Sequence, residues 1–143
     1  MSEVEFFRTP GYGEKLWEML HYNQAVRIGN RVEISGQGGW RGGHDFPDFP
    51  DSLDDEIVQA FENVESTLAT VGAGWRDVVA VNSFHIPAQD DTIGDAHNRV
   101  MVEQFRKRMG DRGPIWTQIG VAALGAPGMR VEIQVTAVLG QDG

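Results

Sequence analysis

The chain has 143 residues, of which 41% are hydrophobic and 23% charged, the balance of an ordinary globular domain rather than of a disordered chain. Its formal net charge of −9 argues against nucleic acid as a partner, because phosphate-binding proteins need a basic surface. There is no cysteine, no apolar run near the roughly 20 residues that span a membrane, and no signal-peptide pattern in "MSEVEFFRTP". We therefore expect a single cytoplasmic domain over residues 1–143 with no membrane contact.

The first third of the chain predicts loops and one hairpin. Residues 1–21 are predicted to be an irregular N-terminal segment, in which "GEKLWEML" (Gly13 to Leu20) is compatible with a turn or two of helix. Gly29-Asn30 separates two β-rich runs in "QAVRIGNRVEISGQ" and predicts a hairpin, because Asn and Gly tolerate positive φ. The following "GGWRGGHDFPDFPD" predicts a long loop, and loops of this length are usually functional or mobile.

Two amphipathic helices and a strand are predicted in the middle of the chain. The first helix starts at Ser52 with Asp55 as its capping-box partner, and the second starts at Thr92 with Asp95 and runs to about Met109. The apolar stripe of the first helix consists of Ile57, Phe61, Val64, Leu68 and Val71. The inward residues of the second are predicted to be Ala96, Val100, Met101 and Phe105. The largely apolar run from Val78 to Ile86 is the strand between them.

Two strands close the chain, in "GPIWTQIGVAAL" (Gly113 to Leu124) and "RVEIQVTAVL" (Arg130 to Leu139). The order β-β-α-β-α-β-β predicts an α+β fold in which a mixed β-sheet carries two helices on one face. In the last strand Val131, Ile133 and Val135 alternate with polar residues and are predicted to pack on the helices. The opposite face is predicted to contact another subunit and to carry Trp116, Gln118, Glu132 and Gln134.

Familiar catalytic signatures are absent. "GQGGWRGG" lacks the GxxxxGK[ST] pattern of a phosphate loop, and nothing resembles a GxSxG nucleophile elbow. The histidines lie on different predicted elements without the spacing of metal ligands, at positions His21, His44, His85 and His97. We expect neither a metal nor a cofactor.

Three stretches, taken in order, resemble one family. "YNQAVRIGNRVEISGQ", "AFENVESTLATVGAGWRDVVAVNSF" and "GPIWTQIGVAALGAPGMRVEIQVTAV" are similar to the Rid (reactive intermediate deaminase) proteins, also called YjgF-like or endoribonuclease L-PSP. Strings similar to "SFH" (Ser83 to His85) occur in the YjgH-like branch. The resemblance implies a chorismate-mutase-like fold and a homotrimer whose sheets enclose a central barrel. Three clefts between subunits then hydrolyse 2-imino and 2-enamino acids to keto acids and ammonia in the enzymatic members.

The same resemblance assigns the cleft residues. Tyr22 and Glu132 match the family's tyrosine and its water-positioning glutamate and are the candidate catalytic residues. The family's Pro-x-Arg-[Ser/Thr] motif reads Pro114-Ile115-Trp116-Thr117 here, so that Trp116 replaces the arginine that binds the substrate carboxylate. The candidate substrate-binding residues are Ser35, Gly36, Gln37, Arg41, His85, Asn98, Trp116, Thr117 and Gln118.

The predicted function is that of a hydrolase- or deaminase-like protein that acts on a small molecule, with weak or no activity on 2-imino acids. Loss of the guanidinium favours a neutral, aromatic or cationic substrate. One alternative is a non-catalytic trimer that binds a metabolite or a partner. Two others are a 2-imino-acid deaminase in which Arg41, or Arg27, replaces the missing arginine, and an endoribonuclease, which the net charge weakens.

Several candidates also have a purely structural interpretation. Trp116 can fill the subunit interface, and Glu132 can pair with Arg130 two residues away on the same strand face. Tyr22 and Asn98 can be ordinary polar groups of the interface. His85, close to Pro87, can be a surface or interface residue at a strand end.

Overall fold

The computed structural model describes residues 3–42, 46–88 and 91–140, which form one seven-stranded mixed sheet with three α-helices. The elements in chain order are β1 (Val4–Phe7), α1 (Tyr12–Leu20), β2 (Ala25–Ile28), β3 (Arg31–Ile34), β4 (Gln37–Gly38), α2 (Leu53–Ala69), β5 (Val78–His85), α3 (Asp95–Met109), β6 (Ile115–Gly120) and β7 (Val131–Val138), with a 3₁₀ turn at Trp75–Asp77 before β5. The predicted α+β class and mixed sheet are confirmed.

The sheet order is β1-β2-β3-β7-β5-β6, and β4 also pairs with β7. Only the β5–β6 pair among these is parallel. The predicted hairpin is confirmed, since Ile28 pairs with Arg31 across Gly29-Asn30. The prediction of an irregular start is wrong for residues 4–7, which form edge strand β1. The four residues of β1 are held in place by pairing with β2. A run of this length is too short for its side-chain alternation to be recognised in the sequence.

Helices α2 and α3 cover one face of the sheet. The predicted N-cap of α2 is confirmed, because the Asp55 N–H donates to Ser52 Oγ at 3.0 Å. Four residues of its predicted stripe have no exposed surface, namely Ile57, Phe61, Val64 and Leu68. The predicted start of α3 at Thr92 is wrong. The helix begins at Asp95, because Gly94 has a φ of 95°, which is not a helical conformation. As a result Ala96 is exposed and His97 takes the inward position.

The side-chain faces of β6 are the reverse of the prediction. Val81 of β5 pairs with Trp116 on one side and with Val135 on the other, so these three side chains share the face that packs on the helices. Gln118 therefore lies on the helix side as well, and the prediction that both residues occupy the open face is wrong. Glu132 and Gln134 do lie on the open face, as predicted, because β7 alternates as its sequence indicates.

The loop after β4 is anchored at its start. Trp40 is buried, and the Asn63 amide of α2 donates to the Gly38 and Trp40 carbonyls at 2.8 and 2.7 Å. Farther along, Arg41 and Asp48 form an isolated β-bridge. The first residues of the predicted loop are therefore part of the folded core.

Candidate functional site

The Ser-Gly-Gln turn is a β-bulge between β3 and β4. Both short strands pair with β7, Glu33 with Thr136 and Gln37 with Ile133. Residues 34–36 thus oppose only residues 134–135, and the extra residue bends the strand at Ser35 and Gly36. Bulges of this kind re-aim side chains and are common beside active sites.

Glu132 lies directly over this bulge. A Cβ at position 36 would overlap the Glu132 carboxylate, so only glycine lets the carboxylate approach the backbone there. Burial raises the pKa of the Glu132 carboxyl above its ordinary value. The alternative prediction, that Glu132 pairs with Arg130, is wrong, because Arg130 pairs with the buried Glu56 at 2.6 Å. A half-buried carboxyl of raised pKa is suited to accept a proton from water.

Tyr22 lies close enough to Glu132 to sense its charge. Burial raises the pKa of the Tyr22 phenol, and repulsion from Glu132 and then from Tyr12 raises it further. The phenol therefore stays protonated at neutral pH and is able to donate a hydrogen bond. The structure thus brings together the two predicted catalytic residues and Gly36.

A buried hydrogen-bond network holds the bulge in shape. Gln24 Oε1 accepts from the Thr9 N–H and hydroxyl at 2.7 and 2.8 Å, and Gln24 Nε2 donates to Gln37 Oε1 at 3.1 Å. Gln37 Nε2 in turn donates to the Ser35 carbonyl at 3.1 Å. Gln37 has no exposed surface, so its side chain holds the turn instead of facing a ligand.

A second group of candidates lies on the helix side of the sheet. The Trp116 indole N–H donates to Ser83 Oγ at 2.8 Å, and Ser83 Oγ lies 2.8 Å from His85 Nε2. His85 Nδ1 is 2.9 Å from His97 Nδ1, and His97 Nε2 is 3.1 Å from the Ile86 carbonyl oxygen. The ring of Trp116 also packs edge-on against Phe105 of α3 at 5.1 Å between centroids. Trp116 is thus fixed by β5 and α3.

The Ile86 carbonyl sets the direction of the hydrogen bonds that link Ser83, His85 and His97. A carbonyl only accepts, so His97 Nε2 carries a hydrogen and a neutral His97 leaves its Nδ1 bare. His85 Nδ1 then donates to His97, and His85 Nε2 accepts from the Ser83 hydroxyl. Burial lowers the pKa of His85 to about 3 and also lowers that of His97, which keeps both rings neutral. The interpretation of His85 as a surface residue is wrong, since it has no exposed surface.

The remaining candidates divide between these two regions. Gln118 Nε2 donates to Asn98 Oδ1 at 2.6 Å, which joins β6 to the first turn of α3 on the helix side. Thr117 is exposed on the open face beside Asn82. Within one chain, Glu132 and Trp116 therefore occupy opposite faces of the sheet.

Each of the two candidate replacement arginines is held by local contacts. Arg41 pairs with Asp48 at 2.7 Å and donates to the Phe49 carbonyl, so its guanidinium closes the loop. Arg27 Nε donates to the Gly29 carbonyl at 2.8 Å at the hairpin. Both arginines satisfy local contacts in the described structure.

Sequence reasoning missed Ser83, His97 and Tyr12. Ser83 and His85 are two residues apart on one strand, which places them on the same face, and this was the available signal. No comparable signal marked His97, because the expected start of α3 put Ala96 inward instead. In the described ranges no three His, Asp or Glu side chains are grouped to hold a metal; His44 lies outside the described residues. Nor is any helix there long and apolar enough to cross a membrane.

Comparison with known proteins identifies the family. A family model described as Endoribonuclease L-PSP matches residues 14–139. The RutC family protein YjgH of Escherichia coli (strain K12) is 30% identical over 129 residues, 90% of each chain. A Dermatophagoides farinae protein named 2-iminobutanoate/2-iminopropanoate deaminase is 36% identical over 119 residues, 82% of this chain and 85% of its own. A solved structure titled Protein YJGH superposes with a TM-score of 0.76 at 27% identity, covering 98% and 99% of the two chains. The chain therefore belongs to the Rid, or YjgF-like, family, whose model carries the name endoribonuclease L-PSP.

Proposed function

We propose that this chain hydrolyses a small reactive imine- or enamine-type molecule, with Glu132 as the residue that moves protons to and from water. The observation that carries the proposal is the half-buried Glu132 carboxyl of raised pKa, held over Gly36 next to the Tyr22 phenol. The relative named as an imine deaminase supports the reaction class. The absence of cysteine supports the cytoplasm as its location.

The reaction follows from what each group can do. Glu132 accepts a proton from water as the water oxygen bonds to the imine carbon, and the C=N electron pair moves to nitrogen. The proton held on Glu132 then passes to that nitrogen and gives a carbinolamine. Glu132 next takes the proton of the new hydroxyl group and returns it to the nitrogen, so that the C–N bond breaks, ammonia leaves and the carbonyl forms. Tyr22 donates a hydrogen bond to the substrate. General acid–base catalysis of this kind contributes about 10²- to 10⁴-fold in rate.

The open face of the sheet supports the proposal of a homotrimer around a central barrel. Large apolar side chains are exposed along this face, at Val4, Phe6, Ile28, Ile115 and Ile119. Exposed apolar patches on a sheet face mark subunit contacts. The small-molecule cleft is then completed between subunits, where Glu132 of one chain faces a neighbour.

Trp116 explains why 2-imino acids are poor substrates in this proposal. Its indole N–H is already engaged by Ser83, and an uncharged group cannot form the paired, charge-assisted bonds of a guanidinium with a carboxylate. A charge-assisted hydrogen bond contributes roughly 1.5–3 kcal/mol, so its loss lowers turnover by about 10- to 150-fold.

The test is turnover of imines generated in situ by an amino-acid oxidase, from leucine, methionine and phenylalanine. We expect the wild type to release ammonia above the uncatalysed rate, most efficiently from the phenylalanine imine, and Glu132→Gln to lose about 10²- to 10⁴-fold. Glu103→Gln is the matched control, because Glu103 is an exposed carboxylate of α3 that pairs with Arg99. Equal rates for wild type and Glu132→Gln would remove Glu132 from the mechanism.

Two further variants test the arginine argument. Trp116→Arg is expected to gain activity on the leucine and methionine imines, and Arg41→Ala is expected to change nothing, because Arg41 binds Asp48. If Arg41→Ala abolishes wild-type activity, Arg41 is the carboxylate clamp and our assignment is wrong. If no variant turns over any imine, the non-catalytic binding trimer replaces the hydrolase.

A further inference from the structure

A second packed cluster, separate from the main core, lies beside Glu132. We call it the aromatic cluster; its rings are Tyr12, Tyr22, Trp40, Phe46 and Phe49, and its other members are Leu16, Leu124, Ala126 and Met129. Tyr12 stands 6.0 Å from Trp40, edge to face, and 5.9 Å from Phe46, nearly parallel. Trp40 and Phe46 are 6.3 Å apart, edge to face. Most of this cluster comes from α1 and the loop after β4.

Two hydrogen-bond donors inside the cluster have no partner in the described structure. Tyr12 Oη and Trp40 Nε1 are both buried and unpaired, and the Trp40 residue is only 7% exposed. A buried polar group without a partner is destabilising, so native proteins keep few of them. Two such donors on rings that touch each other indicate a place that accepts a polar atom from outside the chain.

The cluster adjoins both Glu132 and an open crevice. Gly38 pairs with Glu132 across the two strands, and a Cβ on Gly38 would meet Trp40 and Met129 of the cluster. Burial, then Glu132 and then Tyr12 raise the pKa of the Tyr22 phenol, in keeping with this arrangement. A crevice of about 950 Å³ runs between residues 47–51 and 122–130 and shares Phe49, Leu124 and Met129 with the cluster. The crevice gives a small molecule a route toward the unpaired donors.

We propose that the aromatic cluster is a subsite for an aryl ring that carries a hydrogen-bond acceptor, with Tyr12 Oη and Trp40 Nε1 as donors to a carbonyl-type oxygen. This rests on the proposed function, because the ring then places the reactive carbon at Glu132. The Phe46 ring marks the aryl position: it stacks on Tyr12 and meets the edge of Trp40, and Lys15 Nζ lies 5.6 Å from its centroid. An incoming aryl ring replaces the Phe46 ring there.

The chemistry of the donors selects a neutral acceptor. Both donors are uncharged, so a carboxylate placed against them would lose its hydration and gain only neutral hydrogen bonds from them, whereas an amide or ketone oxygen is much less costly to bury. A cation over the face of a ring is attractive, so Lys15 favours an aryl group over an alkyl group. The ligand class is therefore neutral, aromatic and carbonyl-bearing.

The test uses phenylacetamide as the probe and titration calorimetry on the full chain. We expect phenylacetamide to bind more tightly than phenylacetate, which is charged, and than propanamide, which lacks the ring. Tyr12→Phe removes only the hydroxyl, and the loss of one neutral hydrogen bond weakens binding about 2- to 12-fold. Phe46→Ala frees the ring position and strengthens binding. Trp17→Phe is the matched control on α1, because Trp17 contacts His21 and Arg8 outside the cluster.

The outcomes separate this subsite from the proposed reaction. Weaker binding in Tyr12→Phe and Trp40→Phe, with unchanged binding in Trp17→Phe, supports the subsite even if Glu132→Gln turns over imines like the wild type. Unchanged binding in Tyr12→Phe overturns it. So does a failure of phenylacetamide to bind both the wild type and Phe46→Ala, whatever the turnover assay shows.

Discussion

At the scale of single residues, the Ser83 hydroxyl joins Trp116 to the buried histidine pair. Ser83→Ala would leave the Trp116 N–H and His85 Nε2 without partners, and each orphaned buried group costs about 1–3 kcal/mol. We expect a clear loss in the free energy of unfolding, measured by urea titration at one fixed protein concentration. Ser66→Ala, on the exposed side of α2, is the control. Equal stability of the two variants would mean that the hydrogen bonds of the Ser83 hydroxyl to Trp116 and His85 contribute nothing to the free energy of unfolding.

The histidine pair also predicts how stability depends on pH. His85 has a pKa of about 3 in the folded chain, against 6.5 for an unperturbed histidine, so the unfolded chain binds more protons between these values. The free energy of unfolding therefore falls as the pH drops below 6.5, by up to about 1.4 kcal/mol per pH unit for each buried histidine. Burial lowers the pKa of His97 as well, and the hydrogen bond to the Ile86 carbonyl and the charge of Glu56 oppose that shift.

The measurement is chemical denaturation at pH values from 7 to 5, above the range where most carboxylates titrate. His85→Gln should show a shallower pH dependence than the wild type, whereas the exposed His21→Gln should match the wild type. The same slope in His85→Gln as in the wild type would show that the buried pair does not control acid sensitivity.

At the scale of elements, the bulge between β3 and β4 predicts a requirement for glycine. Gly36→Ala places a Cβ against the Glu132 carboxylate and forces it to move, and a displacement of about 1 Å in a catalytic group lowers turnover by about 10²-fold. The measurement is the imine assay, with unfolding midpoints to show that the variant is folded. Gly42→Ala should behave like the wild type, because nothing lies within 4 Å of a Cβ at that position. Full activity of Gly36→Ala would separate Glu132 from the reaction.

Elements with strong periodicity or explicit turn chemistry were predictable. The Ser52 cap, the α2 stripe and the Gly29-Asn30 hairpin follow from local sequence, because local contacts stabilise them. Strand β1 was not predictable, because it depends on pairing with β2. The start of α3 was not predictable either, because it depends on the positive φ of Gly94.

At the scale of the whole molecule, the open sheet face predicts a trimer. Light scattering at micromolar concentration should give about three times the 15.8 kDa chain mass. Ile115→Lys places a charge on the open face at a residue that is 76% exposed in the single chain, and should shift the protein toward monomer. Met19→Lys, on α1 and 61% exposed, is the control and should remain trimeric. A wild-type monomer would contradict both the barrel and the cleft between subunits.

The sequence by itself determined the family and the α+β class, and it predicted that Glu132 lies on the open face of the sheet. These follow from ordered motifs and from the alternation of β7, in which apolar and polar residues separate cleanly. The placement of Tyr22 beside Glu132 followed from the resemblance and agrees with their electrostatic coupling.

Only the tertiary structure decided where Trp116 points. Alternation divides β6 into two sets of side chains, but it does not say which set is inward, and the apolar Ile115 and Ile119 look like the core set. In the structure, the parallel register with β5 puts Ile115 and Ile119 on the open face and turns Trp116 toward Ser83 and Phe105. The buried histidine pair and the aromatic cluster likewise join residues that are distant in sequence. Such contacts depend on how the elements pack, which no local pattern in the chain records.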